Sequence, residues 1–182
     1  MVVVVSNASP LITLSKLGQL GLLPKLYARI LIPTAVYDEV VIEGLRAGHV
    51  DAITIDHFVR SGSIVTQTIE LPAEDEPWSS SIDQGEAQVI ALARETSAQW
   101  AIIDNAHARR AARSVGVRPR GTVGVLLEAV SRGQLTLLEF ELLLEEIRRR
   151  PEFWISERLC DAALERARRA QLADVDKGGR PG

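Results

Sequence analysis

Residues 2–17, VVVVSNASPLITLSKL, hold two patterns joined at a polar break. Four successive β-branched residues read as a short buried strand, whereas Leu11, Ile12, Leu14 and Leu17 recur at helical spacing behind Ser9-Pro10. The break is therefore a strand-to-helix turn. In an open parallel α/β sheet, ligands gather just beyond the carboxyl ends of strands, which is where Ser6, Asn7 and Ser9 would lie.

The same pattern returns along the chain. Residues 99–116, QWAIIDNAHARRAARSVG, read as a strand ending in Asp104 and then a helix carrying Arg109, Arg110 and Arg113 on its exposed surface. Residues 30–41, ILIPTAVYDEVV, give a strand at Ile30 to Ile32 and a helix started by Pro33. Apolar spacing leaves Asp38 and Glu39 near the middle of that helix, one of them pointing away from the core. Residues 49–62 read as a further helix and 63–69 as a strand. Residues 71–83, LPAEDEPWSSSID, have the acidic, Pro- and Ser-rich character of a surface loop. In the helix that follows, DQGEAQVIALARE, Asp83 is placed to cap the N-terminus, with Glu86 as its capping-box partner. Residues 117–135 hold a short strand and an apolar helix, and two amphipathic helices follow from Thr136. Strands alternating with helices predict a parallel sheet covered on both faces: a three-layer α/β/α sandwich with a central parallel sheet, plus C-terminal helices. One domain is expected over 1–170, and a loose tail over 171–182.

Composition sets bounds. The chain has 182 residues and a formal charge of −3, yet its arginines concentrate after Asn105, so a basic face is hidden in the average. The lone Cys160 makes no internal disulfide, which points to a reducing compartment, the cytoplasm. The valine run is far shorter than the ~20 apolar residues of a membrane span, so it reads as structure and no membrane is expected.

Polar residues at strand ends and helix starts reduce to Asn7, Glu39, Glu86 and Asp104. Three carboxylates and a carboxamide converging at one sheet edge would repel unless a cation sat among them. An all-oxygen site suits Mg²⁺ or Mn²⁺ and is a poor home for zinc. Such a metal supports water activation and charge neutralisation on a phosphodiester, which makes a nuclease the direct reading. Each residue also has a plain structural role open to it. Glu86 completes a capping box, Glu39 is a solvated helix residue, Asp104 caps the next helix and Asn7 holds a turn. No G-x-G-x-x-G follows the first strand and no G-x-S-x-G is present, which disfavours a dinucleotide binder and a serine hydrolase. His49 and His57 have no companion ligand pair and read as surface residues.

The stretches VVSNASPLITLSKLG, ILIPTAVYDEVV, DQGEAQVIALA, AIIDNAHARRAARSVGV, GTVGVLLEAVSRGQL and FWISERL, in this order, resemble the PIN-domain proteins. They are closest to the branch of VapC-like toxins whose first motif reads Ser-Asp-Thr-Ser-Pro-Leu or Ser-Asn-Ala-Ser-Pro-Leu. The resemblance runs from the first strand to about Leu159. It implies a metal-binding acidic cluster, ribonuclease activity on single-stranded or structured RNA that leaves 5′-phosphate and 3′-hydroxyl ends, and a toxin role neutralised by a cognate antitoxin. By position, Asn7 stands where the family has its first aspartate, with Ser9 as the small hydroxyl residue behind it. Glu39, Glu86 and Asp104 match the remaining acids, and Thr122 lies near a polar position of some members. Asn7 removes one negative charge but keeps an oxygen. Arg109, Arg110 and Arg113 would hold the RNA backbone. The apolar C-terminal helices are explained first by core packing and second by a homodimer seam or an antitoxin groove. The alternative function is a catalytically weakened module acting through protein or RNA binding, with Asn7 in its favour.

Overall fold

The valines that open the chain become a strand because they are buried from both sides. A computed structural model describes residues 2–70, 78–79 and 82–178, and in it β1 (Val3–Ser6) is the central strand of a five-stranded sheet. Val4 and Val5 are inaccessible to solvent, and Val4 faces Ile30 on one side and Trp100 on the other. A strand covered this way can be apolar throughout instead of alternating.

The chain divides into two units, Met1–Thr122 and Val123–Gly182. The first carries the sheet, with strand order β3-β2-β1-β4-β5 and every neighbouring pair parallel. Its other strands are β2 (Arg29–Pro33), β3 (Val65–Gln67), β4 (Trp100–Ile102) and β5 (Pro119–Arg120). Helices α1 (Ala8–Lys16), α2 (Leu22–Leu26), α5 (Val50–Arg60), α6 (Gln84–Glu95) and α7 (Ala106–Ser114) connect them. Helix α6 packs on β1, β2 and β4, α7 on β5, and α1 on α5. This is the α/β/α sandwich expected from the alternating pattern. The chain leaves β1 toward β2 and β3 and returns to β4 on the other side, so the order reverses between β1 and β4. Crevices at such a reversal are where open α/β sheets take ligands.

Two local expectations are corrected. Pro33 ends β2, facing Gln67, and is the N-cap of the next helix, which begins at Thr34. Proline has no N–H to give a ladder, so the end of a strand suits it as well as a first helical turn. The helix itself is not uniform: α3 (Thr34–Tyr37) passes into a π-helical segment, Asp38–Glu43, and then α4 (Gly44–Arg46). Asp38 and Glu39 are both classed as exposed, so the pair is not split between core and surface. The predicted loop at 71–83 falls largely outside the described residues; Trp78, within it, is buried.

The second unit is helical: α8 (Thr122–Ser131, its first residue belonging to the first unit), α9 (Leu137–Arg149), a 3₁₀ turn (Pro151–Phe153) and α10 (Glu157–Gly178). Helix α9 starts with a full capping box: Glu139 N–H donates to Thr136 Oγ1 at 3.2 Å and Thr136 N–H donates to Glu139 Oε2 at 2.7 Å. Phe140, Leu144 and Ile147 form its buried stripe, and Cys160, Ala163 and Ala167 that of α10, with the two helices packed together. Ion pairs Arg168–Glu141, at 2.7 Å, and Arg148–Asp161 tie their exposed rims. Helix α10 runs past the point where the sequence pattern suggested a tail. Among the described residues, no helix is long and apolar enough to cross a membrane.

Candidate functional site

Asn7 and Asp104 follow the two strands that flank the reversal. Asn7 N–H donates to the Ile102 carbonyl at 3.0 Å, closing the corner between β1 and β4. Asn7 is the N-cap residue of α1, but its carboxamide makes no capping hydrogen bond, and the residue is 7% exposed. The turn is thus held by backbone, and the Asn7 side chain is left over from it. Ser9 is exposed in the first turn of α1.

Asp104 is likewise spared from capping. Asn105 performs that task for α7, its Oδ1 accepting from the N–H groups of His107 at 2.7 Å and Ala108 at 3.3 Å. Both Asp104 oxygens turn instead to Thr122, whose N–H donates to Oδ1 at 2.7 Å and whose hydroxyl donates to Oδ2 at 2.6 Å. Thr122 is wholly buried. Part of Asp104 reaches solvent, but its carboxyl lies deep, and burial raises its pKa; the two Thr122 bonds and the nearby Arg109 charge pull it part of the way back.

Glu39 and Glu86 meet at the start of α6. Glu86 is buried, and Asp83 caps the helix by accepting Glu86 N–H at 2.7 Å. Only this half of the expected capping box has hydrogen-bond geometry, although Asp83 N–H lies near enough to draw the Glu86 pKa partly down. Glu39, the second residue of the π segment, brings Oε2 to 4.0 Å from where a Cβ would stand on Gly85, so its carboxylate reaches the first turn of α6. The pKa of each glutamate is raised first by burial and next by the Asp83 charge; Glu43 adds to the first and Glu39 to the second. Neither makes an ion pair among the described residues. Asp83 is the member of this group that sequence reasoning took only as a cap; an acid three residues ahead of another acid at a helix start was its one signal.

The three expected acids therefore stand in two sets. Glu39 and Glu86 interact with each other and with Asp83, whereas Asp104 is joined to Thr122 and Arg109. Among the described residues, no three His, Cys, Asp or Glu side chains are gathered closely enough to hold a metal ion. The donor chemistry nonetheless fits a hard divalent cation. Glu86 is buried, Glu39 is exposed yet reaches the same helix start, and among the described residues neither carboxylate has a cationic partner and the donors available are oxygen. Of the three arginines, Arg110 and Arg113 are exposed as expected. Arg109 is not on that face: it is half-buried, with its Nε enclosed and, among the described residues, without a hydrogen-bond partner.

A family model described as a PIN domain matches residues 3–169. No curated protein and no solved structure matches the chain.

Proposed function

The chain belongs to the PIN-domain family, and from that membership we propose that it is a Mg²⁺- or Mn²⁺-dependent endoribonuclease hydrolysing phosphodiester bonds of single-stranded RNA, the toxin of a toxin–antitoxin pair. PIN domains are in general metal-dependent nucleases. The observation that carries the reading is the Glu39–Glu86 pair: two carboxylates set beside Asp83 at a helix start, their pKa values raised by burial and by the Asp83 charge, with no cationic partner among the described residues.

In this reading Glu39 and Glu86 hold the ion, and Asn7 and Asp104 offer oxygen from the strand ends across the reversal. When bound, the ion supplies water activation and charge neutralisation on the phosphodiester. Thr122 fixes both oxygens of Asp104, so that this carboxylate presents a set orientation. Arg110 and Arg113, exposed on α7, hold the RNA backbone, a contribution that fades with salt. In this reading Ser9, exposed in the first turn of α1, plays a supporting part. A cognate antitoxin, a homodimer and a cytoplasmic location belong to the same proposal.

The test is cleavage of a mixed single-stranded RNA pool by the purified protein with Mn²⁺ or Mg²⁺, beside an EDTA control and the Asp104→Asn and Glu86→Gln proteins. Metal-dependent cleavage that leaves 5′-phosphate ends and disappears in both variants supports the assignment. Retention of activity in both refutes the site. No cleavage by any folded protein favours the silent binding module, for which Asn7 and the Thr122-engaged Asp104 are the motivating features.

A further inference from the structure

Trp100 opens β4 and is half-buried, and two arginines from the neighbouring strand converge on its ring. The guanidinium carbon of Arg120 lies 3.8 Å from the ring centroid, and that of Arg118 lies 4.3 Å from it. The sheet sets this up. Ala101 N–H donates to the Arg118 carbonyl at 2.9 Å and Ile103 N–H to that of Arg120 at 2.8 Å, so the two arginines emerge on one face beside the indole. Strand β5 is the last of the sheet, and the cluster stands at that edge.

The two arginines are not equivalent. Arg120 is half-buried, and its Nη1 donates to the hydroxyl of buried Tyr27 at 3.2 Å. Arg118 is exposed, and among the described residues its guanidinium meets the indole but makes no hydrogen bond and no ion pair. One arginine would suffice to cover the ring, and Arg120 is the closer. A second cation on the same ring adds like-charge repulsion, which an anion relieves. The ring restrains Arg118 while its five N–H donors stay unused. A restrained guanidinium with a free donor fork suits a phosphate, whose oxygens accept two parallel bonds.

The strands that carry this cluster also lead to the candidate site. Asp104 follows Trp100 by four positions, and Thr122 follows Arg118 by four. At about 3.3 Å per residue the separation is about 13 Å, roughly the rise of four stacked nucleotides of one strand. A polymer with a negative charge on every nucleotide, engaged at Asp104, therefore has a phosphate to place at Arg118. We infer that Trp100, Arg118 and Arg120 form a second nucleic-acid contact at the edge of the sheet, where Arg118, restrained by the indole, takes a phosphate of the RNA about four nucleotides from the scissile bond. The inference rests on the proposed function in naming RNA as the polymer.

The experiment is fluorescence anisotropy of a labelled single-stranded RNA of about twelve nucleotides, long enough to span both places, in EDTA, where nothing is cleaved. Wild type is compared with Arg118→Gln, Arg118→Lys, Trp100→Leu and, as a charge control, Arg169→Gln on exposed α10. Loss of one phosphate contact predicts a Kd raised roughly three- to tenfold in Arg118→Gln and a salt slope smaller by about 0.7. Arg118→Lys and Trp100→Leu keep the charge, so both should weaken binding with the slope of wild type, and Arg169→Gln should bind as wild type. Unchanged affinity in Arg118→Gln overturns the inference. Unchanged affinity in folded Trp100→Leu removes the indole from it; should that variant not fold, Arg118→Gln, at an exposed position, decides alone. An acidic peptide of matched charge that binds wild type as tightly as the RNA, and loses as much in Arg118→Gln, overturns it in favour of a protein partner. Wild type that binds RNA through Arg118 but cleaves nothing with Mn²⁺ keeps the contact and removes the nuclease reading. Metal-dependent cleavage with binding unaltered in Arg118→Gln does the reverse, and RNA that wild type does not bind at all removes both.

Discussion

Thr122→Val isolates one bond in the candidate site. Valine has nearly the shape of threonine and keeps the backbone N–H that donates to Asp104 Oδ1, so only the hydroxyl bond to Oδ2, 2.6 Å long, is lost. The residue is wholly buried, so valine fills its place and brings no donor of its own. A hydrogen bond to a charged group contributes about 1.5–3 kcal/mol, and that is the expected loss of stability at pH 8. The loss should depend on pH with a definite sign. Burial holds the Asp104 pKa above its ordinary value, so the folded protein binds this proton more tightly than the unfolded chain. Stability from this group is full below the unfolded pKa and declines as pH rises through the folded one. Removing the hydroxyl raises the folded pKa further, so the penalty of the variant grows with pH and shrinks toward pH 4. Urea unfolding of both proteins at pH 4 and pH 8, followed by far-UV circular dichroism, measures it. In an Asp104→Asn background the same substitution should cost much less. A loss below about 0.5 kcal/mol at pH 8, or an equal loss at both pH values, would refute the reasoning.

Asp83→Asn preserves the cap of α6, since asparagine caps as well as aspartate, but removes the charge that raises Glu39 and Glu86. The pKa of both should fall, and the acid limb of a metal-dependent pH–rate profile should move to lower pH while urea stability changes little. Glu139→Gln tests the capping box of α9: hydrogen bonds from Thr136 hold the Glu139 pKa low, so its contribution is present above the unfolded pKa and is lost as pH falls through the folded one. The variant should melt earlier than wild type at neutral pH and together with it in acid. Phe140→Ala, at a position closed to solvent, should cost about 3–5 kcal/mol by urea denaturation. Asn7→Asp should tighten Mn²⁺ binding in calorimetry, because it adds a charge where the carboxamide makes no capping bond; unaltered affinity would place Asn7 outside the metal shell.

The sequence made the sheet legible because its punctuation is local. Valines stopping at Ser6-Asn7, and Ile103 giving way to Asp104-Asn105, mark strand ends without knowledge of neighbours. What escaped depends on distance or on rotation. Asp104 and Thr122 are eighteen positions apart, and no period announces their bond. Arg109, Arg110 and Arg113 share a helix, but consecutive residues lie about 100° apart around it, enough to put one guanidinium inward and its neighbour in solvent. The pattern Val36, Val40, Val41 is as compatible with a π segment as with an α-helix, so the irregularity that carries Glu39 left no trace in composition. Asp83 was visible only as a cap, since its charge matters through Glu39, which arrives from another part of the chain.

The π segment has a consequence for how this protein tolerates change. A π turn contains one residue more than the α ladder would use over the same span. The position of Glu39 is therefore indexed by counting residues as well as by their kinds. Residues of the segment can be exchanged for other helix formers while the acid stays at the start of α6, but deleting a single one lets the ladder close as α, keeping the flanking turns in phase while removing the widened turn that carries the acid. A helix that would absorb many substitutions is thus intolerant of losing one residue, and the spacing between Pro33 and Gly44 becomes as much a part of the site as the carboxylate it delivers.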